Sequence, residues 1–256
     1  MLLAIDIGNT NIVIGLIEGN MILHQARIAT DPLKTSDQYS MDLINTLSLY
    51  ALSREQIDDV IISSVVPPVL NSLRTAATKL TGKAPLVVGP GIKTGLNIKM
   101  EDPSQLGSDL VVTAVAALKQ WKPPLIIIDM GTATTFSAID PSGAYVGGSI
   151  STGVKISSNA LTGNTAQLPG ISLDAPKKAI GRNTVEAMRS GLMLGTACML
   201  DGMIDRYREE LGENATVIAT GGIAKFVLPM CRREIRYDRD LLLKGLITIY
   251  EYNKKK

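Results

Sequence analysis

Two stretches of this chain, LLAIDIGNTNIVIGLIE from Leu2 and IIIDMGTATTFSAID from Ile126, share one pattern. Each is an apolar strand ending near an Asp, a Gly two residues later, and a second strand. The aspartates, Asp6 and Asp129, lie 129 − 6 = 123 residues apart in a chain of 256, close to half its length. A phrase repeated at that spacing predicts a fold built twice, and the neighbouring elements repeat with it.

In the first half, LLAID, NIVIGLIE and MILHQARIAT read as strands, with turns at Asn9-Thr10 and Gly19-Asn20. A helix is expected from Thr35 to about Leu52, then a strand DDVIISSV closed by Pro67-Pro68, a helix from Val69 to Leu80, a strand PLVV, and a helix from Leu106 to Trp121. In the second half, PLIIIDM, TATTFSAID and AYVGGSIS are strands, and Gly153 to Leu161 is a helix. Thr165 to Arg182 is Pro/Gly-rich and irregular, and Asn183 caps a long helix reaching about Leu211. ATVIATGG is strand and turn, AKFVLPMC helical, EIRYD strand, and DLLLKGLITIYEYN helical. Each half therefore reads β-β-β-α-β-α-β-α with additions, a division at residues 1–121 and 122–256. The expected class is α/β, two mixed sheets with helices packed on them and a cleft between the halves.

Composition narrows the function classes. A hydrophobic fraction of 45% with 20% charged residues fits a globular core, and a net charge of +2 is too small for an electrostatic nucleic-acid binder. Only ten aromatic residues are present (Phe 2, Tyr 7, Trp 1), too few for base-stacking platforms. The basic run Lys254–Lys256 reads as a solvated tail, and His24 as a strand residue. Cys198 and Cys231 lack metal-ligand spacing and need not pair, which suits a reducing compartment. No apolar run reaches the roughly 20 residues that span a bilayer, and the early Asp without a basic region argues against a signal peptide. The expectation is a cytoplasmic protein with neither nucleic acid nor membrane as partner.

An Asp at the end of an apolar strand is costly to bury unless donors or a cation satisfy it. The Gly that follows lets the backbone approach a ligand closely. Asn9, Thr10 and Asn11 in the first turn, and Thr132, Thr134 and Thr135 in the second, add donors without bulk. Such a turn can hold phosphate oxygens while its Asp orients a metal ion. A single Asp-x-Gly is more often a plain hairpin; two copies placed alike in similar halves favour the phosphate reading. ATGG at Ala219–Gly222, between strand and helix, fits an adenine ring or an α-phosphate as well as it fits an ordinary turn.

DIGNTN, DMGT and TGG, in this order, resemble the two phosphate motifs and the adenosine motif of the actin–hexokinase–acetate kinase superfamily, whose halves share a ribonuclease H-like, actin-like ATPase fold. VIISSVVPPV, LGSD, DMGTATTF, GGSISTG, TAQLP and IGRNTVEAMRSGLMLG extend the likeness over nearly the entire chain, and together they resemble the type III pantothenate kinases. The resemblance implies ATP-dependent phosphorylation of pantothenate, the first step of coenzyme A biosynthesis, with Mg²⁺ and a monovalent cation (K⁺ or NH₄⁺) and a homodimeric state. It assigns the proton-accepting role to Asp109 of LGSDL. It gives ATP the turn Asp6, Ile7, Gly8, Asn9, Thr10, Asn11, Ile12 and Val13 together with Thr132, with Asp6 near Mg²⁺ and Asp129 holding the monovalent cation. It gives pantothenate Met100, Gly107, Ser108, Asp109 and Leu110, and Thr184 reaching a neighbouring subunit's site.

Read without the resemblance, Ser108 and Asp109 are helix-capping and first-turn residues, and Thr184 is the first turn behind the Asn183 cap. Gly191 and Gly195 suit close helix approach or a packed helix equally. Three positions depart from the family pattern. Leu110 stands where its GxDR motif has Arg, Met100 where a Tyr is expected, and Thr152 where Pro is usual. Leu offers no fork for a carboxylate, and losing one charge-assisted hydrogen bond costs about 1.5–3 kcal/mol. A nucleotide-binding regulator or a degenerate paralogue with little kinase activity is therefore the alternative, and a kinase for another small alcohol a third reading.

Overall fold

The computed structural model describes residues 1–254, so the expected basic tail lies, except for Lys254, outside the described residues. The elements run in the expected order. They are β1 (Leu2–Ile7), β2 (Asn11–Glu18), β3 (Met21–Ala29), α1 (Ser36–Leu49), β4 (Asp59–Ser64), α2 (Pro67–Thr81), β5 (Leu86–Val87), β6 (Asn97–Ile98) and α3 (Ser108–Gln120). The second series is β7 (Leu125–Met130), β8 (Ala133–Ile139), β9 (Ala144–Thr152), α4 (Val154–Gly163), α5 (Thr184–Arg189), α6 (Gly195–Leu211), β10 (Thr216–Thr220), α7 (Ala224–Val227), β11 (Arg236–Tyr237) and α8 (Leu241–Asn253).

The chain gathers into two compact units. The first holds Met1–Leu96, Asp102–Ala116 and the chain from Leu241 onward; the second holds Asn97–Glu101 and Ala117–Asp240. The last helix thus joins the unit built from the start of the chain.

In the first unit the sheet order is β3-β2-β1-β4-β5, with β1 antiparallel to β2 and parallel to β4. All six residues of β1 are buried, as expected of a strand covered on both faces. Leu3, Ile5 and Ile7 pack with Tyr39, Leu43 and Leu47 of α1 and with Leu73, Ala76 and Ala77 of α2. The opposite face, which carries Asp6, is covered by α8, whose Leu243 side chain lies against Gly15. Helix α1 is fixed at its start by a capping box in which Thr35 and Gln38 bond each other's backbone, a device worth about 1 kcal/mol. Helix α2 begins at Pro67 itself, because a proline in the first turn gives up only an N–H that has no helical partner.

The second unit repeats the design in the order β11-β10-β7-β8-β9-β6, with β7 antiparallel to β8 and parallel to β10. Ile126, Ile128 and Met130 face a core shared with Met193, Ala197, Leu200 and Ile204. Strand alternation places Asp129 on the opposite face, as Asp6 is in the first unit. Strand β6, in NIKM, escapes sequence reading because two residues carry no periodicity. The helix behind the Asn183 cap is interrupted by a π-turn over Ser190–Leu194 between α5 and α6. His24 is a strand residue stacked on Tyr50, with ring centroids 4.3 Å apart. Cys198 and Cys231 are free thiols.

Candidate active site

The first turn joins β1 to β2 through Gly8, Asn9 and Thr10. The Gly8 N–H closes it by donating to the Asn11 carbonyl at 3.1 Å. Thr30, just past β3, staples it from below. Its hydroxyl donates to the Gly8 carbonyl at 2.7 Å, and its N–H donates to the Thr10 carbonyl at 3.1 Å. Those two carbonyls are thus bonded to Thr30, and the tip exposes Asn9 and Thr10 to solvent. Ile7 and Ile12 are fully buried and can offer a ligand only backbone groups, while Asp6 keeps 7% of its surface. The sequence gives no sign of Thr30 as a support, since its role depends on the register of β3.

The second turn is tighter. Gly131 and Thr132 join β7 to β8, and the Gly131 N–H donates to the Ala133 carbonyl at 3.0 Å. Two glycines from other elements close on it. Gly221, of the ATGG motif, has φ +94°, and a Cβ there would lie 2.5 Å from the Met130 carbonyl oxygen and 2.8 Å from Asp129 Oδ1. A Cβ on Gly153, ahead of α4, would lie 2.2 Å from the Thr132 oxygen and 2.7 Å from that of Gly131. Both positions exclude any side chain. The register Asp129↔Thr220 brings the three elements together at the carboxyl ends of the parallel pair β7–β10, the end at which open α/β sheets bind ligands.

The expected acceptor motif lies in the same unit as the first turn, at the end of β4, the strand beside β1. Asp6 pairs in register with Ser63 and Ile7 with Ser64 on β4. The Ser108 hydroxyl donates to the Ser64 carbonyl at 2.9 Å, accepts from the Ser64 N–H at 3.1 Å, and lies 3.1 Å from the Ser63 hydroxyl. This side chain is committed to the end of β4 and anchors the head of α3. Asp109 follows, half-buried, its Oδ1 accepting from the Leu110 N–H at 2.8 Å. Burial pushes its carboxyl above the usual Asp range, and the N–H donors of Leu110 and of Asp109 itself draw it part of the way back. A Cβ on Gly107 would lie 2.5 Å from Asp109 Oδ1, so the bare glycine leaves that oxygen approachable.

Met100 and Thr184 belong to the second unit. Met100 follows a pinned residue: Lys99 N–H donates to the Tyr145 carbonyl at 2.8 Å, and Lys99 Nζ to Asp140 Oδ2 at 3.0 Å. Thr184 is exposed on α5 and lines an open groove of ≈ 680 Å³ with Leu161, Arg182, Met188 and Leu192. Leu161 lies eight residues beyond Gly153, about 12 Å along α4 at 1.5 Å per residue, which separates this groove from the second turn.

The oxygen chemistry suits hard cations. Among the described residues no three His, Cys, Asp or Glu side chains cluster as a metal centre. A Cβ on Gly221 would lie within 2.8 Å of both the Met130 carbonyl oxygen and Asp129 Oδ1, so the second turn offers a carboxylate and a backbone oxygen, donors of the kind that suit hard cations. A single carboxylate such as Asp6 beside a turn able to accept phosphate would suit Mg²⁺, which takes one or two carboxylates plus substrate phosphates. No helix among the described residues is long and apolar enough to cross a membrane.

A profile of the family described as type III pantothenate kinase matches residues 2–206. A type III pantothenate kinase of Exiguobacterium sp. strain AT1b is 46% identical over 255 residues, covering 100% of both chains. That of Syntrophotalea carbinolica is 42% identical over 254 residues, covering 99% of this chain and 100% of its own. Among solved structures, the activator of the 2-hydroxyisocaproyl-CoA dehydratase from Clostridium difficile, with bound ADPNP, superposes with a TM-score of 0.56 at 13% identity. It covers 98% of this chain and 94% of that one. At that identity the likeness shows the fold alone, which is the duplicated actin-like ATPase fold.

Proposed function

The chain belongs to the type III pantothenate kinase family, and from that premise we propose how its residues phosphorylate pantothenate with ATP, giving 4′-phosphopantothenate at the start of coenzyme A biosynthesis. The observation that carries the reading is the Ser108 anchor. It sets Asp109 at the head of α3, beside the strand pair that bears Asp6 and the first turn.

In phosphoryl transfer the protein's work is positioning and charge stabilisation. The turn from Asp6 to Val13 holds the triphosphate through backbone amides and the side chains of Asn9, Thr10 and Asn11. Thr132 donates to a phosphate oxygen, and Gly221 lets the ATGG backbone lie close to the adenosine. Asp6 would hold Mg²⁺ and Asp129 a monovalent cation such as K⁺; when bound, these ions offset the negative charge of the phosphates. Asp109 receives the proton of the primary hydroxyl as its oxygen bonds to the γ-phosphorus and ADP leaves. In a loose transition state that proton departs late, so a carboxylate raised by burial is a sufficient base.

On the acceptor side, Ser108 positions and Gly107 makes room, while Met100 and Leu110 supply apolar contact where the family pattern has Tyr and Arg. Thr184, exposed in its groove, serves the site of a second copy in a homodimer. The setting is the cytoplasm. Full-length relatives at 46% and 42% identity that carry the kinase name favour an active enzyme over a degenerate paralogue. The test is incubation with ATP, Mg²⁺, K⁺ and pantothenate, with the product identified by mass. Turnover no greater than that of Asp109→Asn would reject the kinase. Rescue of a kinase-deficient strain by Leu110→Arg alone would support the paralogue.

A further inference from the structure

We propose that Tyr237 is a positioning residue for the adenosine end of the nucleotide: its hydroxyl holds the Gly221 carbonyl, and with it the ATGG turn, in place. The proposal rests on the kinase reading above, and every contact it uses lies within the second unit.

The turn follows β10, and two bonds from the segment at β11 reach its carbonyl oxygens. Ala219 and Tyr237 are paired in register, and the Asp238 N–H donates to the Ala219 carbonyl at 2.9 Å. One residue earlier on that segment, the Tyr237 hydroxyl donates to the Gly221 carbonyl at 3.3 Å. The backbone that carries the ring is itself tied down. Asp238 Oδ2 accepts from the Gln120 side-chain amide at 3.2 Å, and Oδ1 accepts from the Asp240 N–H at 3.1 Å. Strand β11 has two residues, both exposed, and pairs only as far as Ala219. Ladder bonds therefore stop two residues short of Gly221, and the phenol covers the gap. On its other side Gly221 packs against the Met130 oxygen and Asp129 Oδ1, so the turn is held between that contact and the Tyr237 hydroxyl.

The duplication supports reading this bond as more than a surface contact. Asp6 pairs with Ser63 and Asp129 with Thr220, so the next residues, Ser64 and Gly221, correspond. The edge strands agree, since the Val88 N–H donates to the Ile62 carbonyl at 2.8 Å just as that of Asp238 does to Ala219. In both units the carbonyl at this place accepts from a side-chain hydroxyl, Ser108 at 2.9 Å in the first and Tyr237 in the second. The two donors come from different elements, α3 and β11. At the register position of Tyr237 the first unit has Val87, which has no hydroxyl. The same carbonyl is thus held in each half by an unrelated residue. In the first unit the bond sets the head of α3 and Asp109; in the second it sets the turn assigned to adenosine.

The experiment compares wild type, Tyr237→Phe, which removes only the hydroxyl, and Tyr237→Ala. It measures ADP affinity by calorimetry in Mg²⁺ and K⁺, then KM for ATP and for pantothenate. Tyr237→Phe should weaken ADP binding and raise KM for ATP about fivefold, the size expected for one neutral hydrogen bond. KM for pantothenate, kcat and Tm should stay near wild type, and Tyr237→Ala should lose at least as much ADP affinity as Tyr237→Phe. Wild-type ADP affinity in Tyr237→Phe overturns the proposal, including when Tyr237→Ala alone is weak, because the ring and not the hydroxyl would then matter. A lowered Tm with equal rises in both KM values also overturns it, as the mark of a merely structural bond. A wild type that binds ADP but does not phosphorylate pantothenate removes the kinase reading, while the ADP affinities still decide the role of Tyr237.

Discussion

The two Asp-Gly turns are nearly alike in sequence but are held by opposite means. The first spans one more residue, Asp6↔Val13 against Asp129↔Thr135, and is stapled by Thr30 through a hydroxyl and an amide. The second is shorter, and two glycine backbones from distant parts of the chain pack onto it. A staple can be removed at modest cost, whereas a backbone packed on backbone has nowhere to yield. Duplication thus preserved the turns and left each half to find its own support.

The largest effect should come from the second turn. Gly221→Ala combines a left-handed φ with a 2.5 Å approach to the Met130 oxygen. It should lower Tm steeply or abolish soluble expression, at a cost above about 3 kcal/mol. Gly8→Ala, whose Cβ meets the Asn11 oxygen at 3.1 Å, should be milder in the same thermal melt. Equal losses would break the contrast.

Asp109→Asn should cut turnover about 10²–10⁴-fold while raising Tm at neutral pH. The sign follows from burial, which raises the folded-state pKa above the unfolded value of 3.8. Stability tied to this group is then fully present below that value and is lost as pH climbs through the raised one. The gain in Tm should therefore vanish near pH 3 and grow toward neutrality, and the acid limb of kcat/KM should sit above an ordinary Asp titration. A variant no more stable at pH 7 than at pH 3, relative to wild type, would contradict the burial argument.

Thr30→Val should be milder. It removes one hydroxyl–carbonyl bond, worth about 1 kcal/mol, so KM for ATP should rise about fivefold with the K⁺ requirement intact. Asp129→Asn should instead abolish the response to K⁺. A titration of rate against K⁺ for both variants separates the two turns.

Much of the fold was legible because long apolar strands and their turns carry their own periodicity, and the Asp6 and Asp129 turns sit where the repeat placed them. What escaped depends on distant partners. Strand β6 exists only because β9 offers an edge to Asn97 and Ile98. Helix α8 joins the unit at the other end of the chain. LGSDL singles out Asp109 and its glycine as site candidates, while the commitment of the Ser108 hydroxyl to β4 needed the three-dimensional pairing. Thr30 was invisible for the same reason, since it acts through the register of the strand before it.

Whether ATP binding depends on the residues of both turns is tested most directly by calorimetric titration with a non-hydrolysable ATP analogue in Mg²⁺ and K⁺. The account predicts one analogue bound per chain, with Asp6→Asn and Asp129→Asn each weakening that same binding event. Two analogues per chain, or an affinity that ignores one of the two aspartates, would contradict it.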